Sequence, residues 1–504
     1  MPTAKQNRIG TWTIRALAPL ALAAAAPAAH ASLAISAAPT SNVTCSGGTC
    51  TATATDAVLN ATDLKMFLRH GNVHVDAGPA NTIAVKATVN WTQGSRLTLS
   101  ANTGVAVTQP IVVAGHGAVT LTTGDTSAGA IVFTGRGRLD FWDTTSSLII
   151  NGNSYTLAND VASLASAIAA NTHGNFALAK SYDAMADAPY TASPIYVLYG
   201  SLNGLGHAIS NVKIQSTETY AAFIAYLLAD SASSVSNLTL AQIDLTGTGH
   251  GAYVGGLAGY AEDTLSHVRV TGHVKGTDLA TVGGIVGWQA PASMVAIVDS
   301  SVNAVVSGSP GSIAGGIVGF QYHGYILRCA VAGRIEGGAS YAGGLAGLVQ
   351  GNVISGNWSS ARVSGNFAGG LVGLANGVFT LADNYVSGAV FSGGGLIGKT
   401  VGLGGGSGGP SVQRSYARGV VHGGGVTGND DGSGVYTDVY WDMDTTHVRN
   451  PANGVLNHPN YPGITGLSDA QMKAALPAGF SPSVWGLNPS INDGYPYLLA
   501  NPPQ

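Results

Sequence analysis

Charged side chains are scarce in this chain of 504 residues. Lysine, arginine, aspartate and glutamate together make up 9% of it, against about a quarter in an ordinary globular domain. The net charge is −4 and lysine and arginine form no cluster, so we expect neither nucleic acid nor an anionic membrane as a partner. Hydrophobic residues still make up 45% of the chain, which excludes a disordered polymer.

Long hydrophobic runs are missing beyond the N-terminal segment. The longest, Ala221 to Ala229, is far shorter than the roughly 20 residues of a membrane-spanning helix. The N-terminal segment has a basic region, an apolar run from Ala16 to Ala29 and the pattern Ala29-His30-Ala31. This order predicts a secretory signal peptide, 1–31, with Ser32 as the new N-terminus. A membrane anchor is the weaker alternative, because the run is short and contains proline. We expect export and no integral membrane segment in the mature chain.

Cysteine occurs only three times. Cys45 and Cys50 flank a short Ser-Gly-Gly-Thr segment, and an oxidising compartment favours a disulfide between them. A metal site is disfavoured, because no second Cys or His pair has matching spacing. Cys329 lies in an apolar segment and is interpreted as a small buried strand residue. We expect no metal and no cofactor.

Catalytic patterns are also lacking. The thirteen histidines are scattered, with no His-Glu-x-x-His and none beside a Gly-x-Ser-x-Gly elbow. Single ones such as His207 and His422 are interpreted as turn or surface residues. The close carboxylate pairs are Asp140 with Asp143, Asp430 with Asp431, and Asp442 with Asp444. Aspartate in turns is the favoured interpretation over a glycosidase pair, and the 430–434 segment lacks the acid spacing of a calcium loop.

Glycine, by contrast, is abundant, with 72 residues, about twice the usual share. The pattern Gly-Gly-apolar-x-Gly occurs seven times at intervals of 25 to 32 residues. Its copies begin at Gly255, Gly283, Gly315, Gly343, Gly369, Gly394 and, more weakly, Gly424. Between copies runs an alternating apolar element, which predicts a strand with one inward face. We align its copy Val363-x-Gly365-x-Phe367 with Val331-x-Gly333-x-Ile335 of the preceding unit.

Each unit is too short to bury its apolar face alone, so it must stack on its copies. The sequence therefore predicts an all-β fold, a right-handed parallel β-helix (solenoid) with short capping helices and about 18 coils spaced as hydrogen-bonded strands. The paired glycines are expected at a corner where a Cβ would clash or where φ is positive. The residues that follow them should form an inward ladder: Leu257, Ile285, Ile317, Leu345, Leu371 and Leu396.

These residues resemble a known group of proteins. The Gly-Gly-Leu-x-Gly units resemble the GLUG motif of bacterial surface proteins, and segments 91–101 and 202–211 are similar to filamentous haemagglutinin-type exoproteins. The endings Val439-Tyr440-Trp441-Asp442 and Val484-Trp485-Gly486 are similar as well. The resemblance spans about residues 55 to 500 and implies a right-handed β-helix, a Gram-negative source and a role in adhesion.

The resemblance and the repeat together predict five segments. These are the signal peptide, 1–31; an N-terminal cap with haemagglutinin-like coils, 32–155; a middle segment with a flanking helix, 156–250; the GLUG-repeat coils, 251–430; and a C-terminal cap, 431–504. The flanking helix is predicted from Asp160 to Ala170 with Asn159 as its cap. Ser468 and Gln471 predict a capping box. Trp485, Tyr495 and Tyr497 are expected to plug the last coil, whose open strand edges need a cover. The capping box and these aromatic residues thus predict where the stack of coils ends.

We expect a secreted or cell-surface, filamentous adhesin-like protein that is not an enzyme. Its partner would be a host or neighbouring-cell surface ligand, with a glycan as one candidate. Tyr260, Trp288 and Phe320 in adjacent coils form either an exposed aromatic column or ordinary packing; otherwise the sequence identifies no ligand-binding residue. A carbohydrate-active β-helix enzyme acting on polysaccharide and a purely structural rod are the alternatives.

The route of export is a further expectation. Related exoproteins use an outer-membrane secretion partner in two-partner secretion, but the Asn-Pro-Asn-Gly-type motif of that system is missing from this sequence. The resemblance implies secretion or display on the outer cell surface, whereas the missing motif leaves a periplasmic location or a truncated relative open.

Overall fold

The structure is a computed structural model that describes residues 32–125, 130–229, 233–290, 295–338, 340–402 and 408–503. The predicted signal peptide, 1–31, lies outside the described residues. The chain winds into a parallel β-solenoid of about 15 turns, which confirms the predicted parallel β-helix. The expected number of about 18 coils was too high, because the residues after Leu467 do not join the stack.

A first stack of coils contains fourteen strands and one helix. The strands are β1 Ser32–Ser36, β2 Val43–Ser46, β3 Thr49–Ala52, β4 Val58–Asn60, β5 Val73–Asp76, β6 Thr82–Val85, β7 Val89–Trp91, β8 Arg96–Ala101, β9 Gly104–Val107, β10 Ile111–Val113, β11 Ala118–Thr123, β12 Ile131–Phe133, β13 Leu139–Phe141 and β14 Ser147–Ile150. Helix α1, Ala61–His70, follows β4, and a 3-10 turn, Gly78–Ala80, follows β5. Strands β2 and β3 form an antiparallel hairpin at one end of their sheet. A disulfide joins Cys45 to Cys50 across this hairpin.

The chain changes direction between the first stack and the second. Strand β14 pairs antiparallel with β15, Asn153–Ala158, and β15 then pairs parallel with the strand after it. The buried apolar residues form two large clusters, and the cluster of the first stack also takes in Leu157, Ala177, Ala179 and Leu205 of the second.

The second stack continues from β15 to β52. Its further strands are β16 Asn175–Leu178, β17 Tyr182–Asp183, β18 Ile195–Leu198, β19 Ser201–Asn203, β20 Ala208–Ser210, β21 Lys213–Ser216, β22 Tyr220–Ala221, β23 Ile224–Leu227, β24 Ser234–Ser236, β25 Thr239–Gly247, β26 Tyr253–Gly255, β27 Ala258–Ala261, β28 Thr264–Ser266, β29 Arg269–Gly276, β30 Thr281–Gly283, β31 Val286–Gln289, β32 Ala296–Val298, β33 Ser301–Gly308, β34 Ile313–Gly315, β35 Val318–Gln321, β36 Tyr325–Leu327, β37 Ala330–Glu336, β38 Tyr341–Gly343, β39 Ala346–Val349, β40 Val353–Ser355, β41 Trp358–Ser359, β42 Arg362–Gly369, β43 Val372–Asn376, β44 Thr380–Ala382, β45 Tyr385–Val386, β46 Val390–Gly394, β47 Ile397–Val401, β48 Ser411–Ala417, β49 Val421–Gly424, β50 Thr427–Asn429, β51 Val435–Asp442 and β52 Ile464–Leu467. A 3-10 turn, Ala184–Ala186, follows β17.

Helix α2, Val161–Ala170, lies where the flanking helix was predicted. Its N-cap is Asp160, whose carboxylate accepts a hydrogen bond from the Ser163 N–H at 2.7 Å. The predicted cap, Asn159, was wrong by one residue, because the capping side chain must belong to the last non-helical residue. Val161, Leu164 and Ile168 are buried on the helix face that covers the start of the second stack.

The paired-glycine bends hold the coils in register. The Leu257 N–H donates to the Ile285 carbonyl at 2.9 Å, and the Leu371 N–H donates to the Leu396 carbonyl at 2.9 Å. All six residues of the predicted ladder are buried, so the ladder is confirmed. A Cβ on Gly284 would lie 2.1 Å from the Gly316 carbonyl oxygen. The two glycines of each bend do not have positive φ, so close approach of backbones, and not a left-handed conformation, explains them.

The predicted alignment fails in one coil. Val363 pairs with Ile335, and Phe367 pairs with Tyr341, whereas the alternation had placed Phe367 beside Ile335. The corner turn that follows Glu336 has no counterpart here, and β42 runs straight through to the next glycines. The predicted alignment of this coil is therefore shifted by four residues from the observed pairing, because the coil is shorter at that corner.

A buried polar ladder, not foreseen from the sequence, runs inside the second stack. The Asn357 side chain accepts from the Cys329 N–H at 2.7 Å, and the Asn384 side chain accepts from the Asn357 N–H at 3.0 Å. The Ser415 hydroxyl accepts from the Asn384 N–H at 3.1 Å. These side chains satisfy backbone donors at a turn where the ladder of strands is interrupted.

The C-terminal segment lies on the flank of the stack. It contains helix α3, Asp469–Ala474, a 3-10 turn, Asn492–Gly494, and strands β53 Trp485–Gly486 and β54 Tyr497–Leu498, which pair antiparallel. The capping box of Ser468 and Gln471 is confirmed.

The predicted aromatic plug was placed wrongly. Trp485 and Tyr495 pack against Tyr416, an outward residue of β48, with ring centroids 5.9 and 6.5 Å away. The interior of the last coils is instead filled by Trp441, whose indole N–H donates to the Val448 carbonyl at 2.9 Å. The C-terminal segment instead buries the apolar surface of outward aromatic side chains in the last coils, Tyr385, Tyr416 and Tyr440.

No helix in the described ranges is long and apolar enough to cross a membrane.

Replacing Gly284 with alanine tests the close approach at the bends. Because the new Cβ would meet a backbone oxygen, Gly284→Ala should lower the free energy of unfolding by about 2 kcal/mol, as measured by urea denaturation. Gly94→Ala is the matched control, since the nearest atom to its Cβ would be 4.0 Å away. Equal stability of the two variants would contradict the explanation.

Candidate ligand-binding aromatic face

The residue after the third glycine of each repeat unit points away from the interior. Tyr260, Trp288 and Phe320 occupy this position in three successive coils and pair in register. Tyr226 occupies it in the coil before them. All four are half-buried, whereas the residues on either side of each are buried. The predicted column therefore exists on the outer side of the stack, and it begins one coil earlier than the sequence indicated.

A second outward row lies beside the first. Tyr220 and Tyr253 pair on β22 and β26, with ring centroids 5.5 Å apart. Tyr253 joins the two rows, because its ring stacks on that of Trp288 at 4.9 Å. Tyr196, which is 65% exposed, contacts Tyr226 at one end. Tyr322 contacts Phe320 at the other. We call these eight residues the aromatic face: Tyr196, Tyr220, Tyr226, Tyr253, Tyr260, Trp288, Phe320 and Tyr322.

The aromatic face is confined to part of the stack. In the three coils after Phe320, the same outward position is occupied by Leu348, Leu374 and Lys399. The bends beneath these later residues have the same glycines and the same buried ladder. The fold therefore does not need aromatic rings at this position, and their concentration in four coils marks a local surface.

Carboxylates border the rings. The Tyr260 hydroxyl donates to Glu262 at 2.7 Å; burial first, and then this hydrogen bond, raise the pKa of Tyr260 above its usual range. Burial is also the main cause that raises the pKa of Tyr226, to which the charge of Glu218 adds. Asp263 lies at the end of the strand that carries Tyr260, and burial raises its pKa to about 7. At neutral pH the hydroxyls stay protonated, and the charge near the rings is negative.

Cations are nearly missing from the coils that carry the face. Between Lys213 and Arg328 the sequence contains only Arg269 and Lys275. Both lie on β29, which pairs with β25 and β33. The rings of Tyr226, Tyr260, Trp288 and Phe320 lie on a different sheet, formed by β18, β23, β27, β31, β35, β39, β43, β47 and β50. The aromatic face is thus an apolar surface with an acidic border.

A cleft of about 590 Å³ borders the first coil of the face. The segment that lines it includes Ser193, whose hydroxyl donates to the Tyr220 carbonyl at 3.3 Å. At the other side of the cleft, Asp187 accepts from the Tyr182 and Tyr190 hydroxyls at 2.6 and 2.8 Å. The cleft adds a fourth carboxyl group, that of Asp187, to the surroundings of the face.

The carboxylate pairs considered for catalysis hold turns. Asp442 is buried; it accepts from the Asp444 N–H at 2.8 Å and from the Tyr495 hydroxyl at 2.6 Å. Asp430 accepts from the Gly432 N–H at 2.8 Å and from the Tyr436 hydroxyl at 2.6 Å.

Other members of these pairs also accept hydrogen bonds within the protein. Asp431 and Asp143 accept from backbone N–H groups two residues further along the chain. Asp140 accepts from the Arg138 guanidinium. The hydrogen bonds of Asp430, Asp431, Asp442 and Asp143 support the turn interpretation. Within the described ranges no group of three or more His, Cys, Asp or Glu is placed to hold a metal ion.

His207 closes a turn, as one of its two interpretations had it, because its N–H donates to the Gly204 carbonyl at 2.8 Å, but it does not lie at the surface. It is fully buried between the two stacks, with Nε2 2.9 Å from the Leu139 carbonyl oxygen and Nδ1 3.4 Å from the Ser181 hydroxyl. Burial lowers its pKa. His422, the other histidine singled out, is exposed as expected. Cys329 is buried as predicted, and burial raises the pKa of its thiol to about 12.

Five residues of the face were missed: Tyr196, Tyr220, Tyr226, Tyr253 and Tyr322. In the coil of Tyr220 and Tyr226 the repeat reads Ala221-Ala222-Phe223-Ile224-Ala225, so a search for paired glycines passes over it. The position of the aromatic residues relative to the glycines could have revealed the second row. Tyr253 stands two places before the first glycine of its unit, and Tyr260 directly follows the third glycine.

Comparison with known proteins identifies no family for this chain. No family model matches the chain, and no curated protein matches it. Among solved structures, a "putative immunoglobulin A1 protease" from Bacteroides ovatus is similar, with a TM-score of 0.39 and 15% sequence identity, over 69% of this chain and 92% of that one.

His207 gives a prediction about pH. Its folded pKa lies below the unfolded value of about 6.5, so the unfolded chain binds more protons and stability should fall as the pH drops below about 6.5. His207→Gln should reduce this dependence of the thermal midpoint between pH 8 and 5, whereas the exposed-site variant His422→Gln should keep it. An unchanged profile in His207→Gln would contradict the assignment.

Proposed function

We propose that this protein is a secreted or cell-surface, filamentous adhesin-like protein that attaches to a host or neighbouring cell through the aromatic face. The proposal places the mature chain outside the cytoplasm of a Gram-negative bacterium. The observation that carries it is the concentration of eight aromatic side chains on one outer surface of a long repetitive fold. Exposed aromatic patches of this kind are typical of binding surfaces.

Packing alone is a poor explanation for Trp288. Its indole N–H is buried without a hydrogen-bond acceptor in the described protein, at a cost of about 1–3 kcal/mol. Phe320 fills the same position in the next coil, and Leu348 in the one after, without a polar group to bury. A tryptophan retained at this cost is better explained by contact with a ligand, to which it presents a large rigid surface.

A binding role also agrees with how the chain uses its acidic groups. The carboxylate pairs that could serve a polysaccharide-cleaving enzyme cap turns or accept from buried hydroxyls. Asp442, for example, receives three hydrogen bonds, from Asp444, Thr445 and Tyr495. A general acid or base must instead reach the reacting atoms of a substrate.

Attachment of the purified full chain to cells tests the proposal. Tyr260→Ala and Trp288→Ala should each weaken binding at least tenfold, because central aromatic residues of an interface often contribute about 2 kcal/mol. Tyr196→Ala should weaken it less, because Tyr196 lies at the end of the face. Cell-bound protein is measured by quantitative fluorescence at a series of concentrations.

Two controls separate binding from folding. Leu348→Ala changes the same outward position in a coil beyond the face, and Trp142→Ala removes a side chain that is 72% exposed in the first stack. Both should bind like the original protein, and circular dichroism should show the same strand content in all variants. Equal attachment by Tyr196→Ala, Tyr260→Ala and the controls, or attachment by none of the proteins including the original, would refute the proposal.

Activity on polysaccharide is tested separately. A reducing-sugar assay should show no turnover on plant, bacterial or animal polysaccharides. Turnover that Asp442→Asn or Asp444→Asn abolishes, with the fold intact, would show an enzyme instead.

A further inference from the structure

The strands that carry the column of Tyr226, Tyr260, Trp288 and Phe320 have no free edges. β23, β27, β31 and β35 each pair with a neighbour on both sides. Their backbone groups are therefore satisfied, and a peptide cannot insert between these four as a further strand. Recognition at this surface must rely on ring faces and on the side chains at its border.

The rings form an elongated surface. Tyr226, Tyr260, Trp288 and Phe320 lie in four successive coils, so their column is about 14 Å long on the spacing of hydrogen-bonded strands. The cleft beside Ser193 extends the surface at one end. A ligand that covers this length has several units in a row, each with an apolar side that can lie on a ring and polar groups at its edges. Sugar rings in an oligosaccharide have this character.

The carboxylates at the border of the aromatic face discriminate between ligands by their charge. Glu218 and Glu262 stand beside Tyr226 and Tyr260. Carboxylates accept hydrogen bonds from hydroxyl and amino groups, and they repel carboxylate or sulfate groups of a ligand. No lysine or arginine lies on the strands β22, β23, β26, β27, β31 or β35 to offset this repulsion.

We infer that the aromatic face binds oligosaccharides that carry no acidic groups, and that Glu218 and Glu262 exclude acidic glycans such as those with uronic, sialic or sulfated sugars. This inference rests on the proposed attachment function and names its ligand class. Neutral sugars bind through the rings, and amino sugars gain in addition from the carboxylates.

A panel of immobilised oligosaccharides in three groups, neutral, amino-bearing and acidic, tests the inference with the full chain. Binding to the best neutral or amino-bearing members should be at least tenfold tighter than to any acidic member, and Trp288→Ala or Tyr260→Ala should weaken it tenfold or more. Raising the salt concentration should weaken binding of amino sugars and leave that of neutral sugars unchanged.

The double variant Glu218→Gln/Glu262→Gln isolates the border. It should bind neutral sugars within about twofold of the original chain, bind amino sugars more weakly, and reduce the discrimination against acidic sugars several-fold. Asp244→Asn is the control: Asp244 lies on β25, a strand that carries none of the eight aromatic residues, and binding should be unchanged.

The outcomes separate this inference from the proposed function. Tightest binding of an acidic group, or no binding by any of the three groups, overturns the inference. Attachment to cells that still depends on Tyr260 would then leave the proposed function standing with another ligand. Loss of both sugar binding and Tyr260-dependent attachment would overturn both.

Discussion

The close approach of one coil's backbone to the next at the paired-glycine bends is the constraint on which the second stack depends. A Cβ on Gly256 would lie 2.3 Å from the Gly284 carbonyl oxygen, and one on Gly316 would lie 2.0 Å from that of Gly344. These contacts fix the direction of the chain at the bend, and the following leucine or isoleucine is thereby directed inward. The third glycine allows the strand after the bend to lie against a strand of the preceding coil. A Cβ on Gly287 would be 2.7 Å from the Val254 nitrogen of that coil. The outward residue that follows, such as Trp288, is thus held next to a ring of the preceding coil.

Much of this could be predicted from the sequence, because the repeat ties side-chain type to position. The inward ladder and the short helices both follow from local patterns. The register of Val363 could not be predicted, since a shortened corner changes spacing without changing residue type. The burial of His207 could not be predicted for a different reason: it depends on contact between the two stacks, and no local pattern reports contacts between distant segments. The asparagine ladder of Asn357 and Asn384 is likewise visible only once coils are superposed.

The candidate site could likewise be predicted from the sequence only in part. Tyr260, Trp288 and Phe320 could be placed on one column, because each follows a recognisable glycine. Tyr220 and Tyr226 could not, because alanines replace the glycines of their coil while the backbone path is retained. The sequence left packing and ligand contact as alternatives for the column. The later coils, with Leu348 and Leu374 at the same position, show that the fold tolerates an aliphatic side chain there, and this is the strongest argument that the rings serve a purpose other than packing.

The C-terminal segment has a mechanical consequence. The Asn501 side chain donates to the Gly356 carbonyl at 3.0 Å, across 145 residues of sequence, and Trp485 lies between this contact and the last coil. A force that pulls on the end of the chain would first load these contacts together, along the length of several coils, in shear. The last coil would not peel away strand by strand until that segment had detached. A rod tethered at this end could therefore bear tension that an unprotected stack of strands could not.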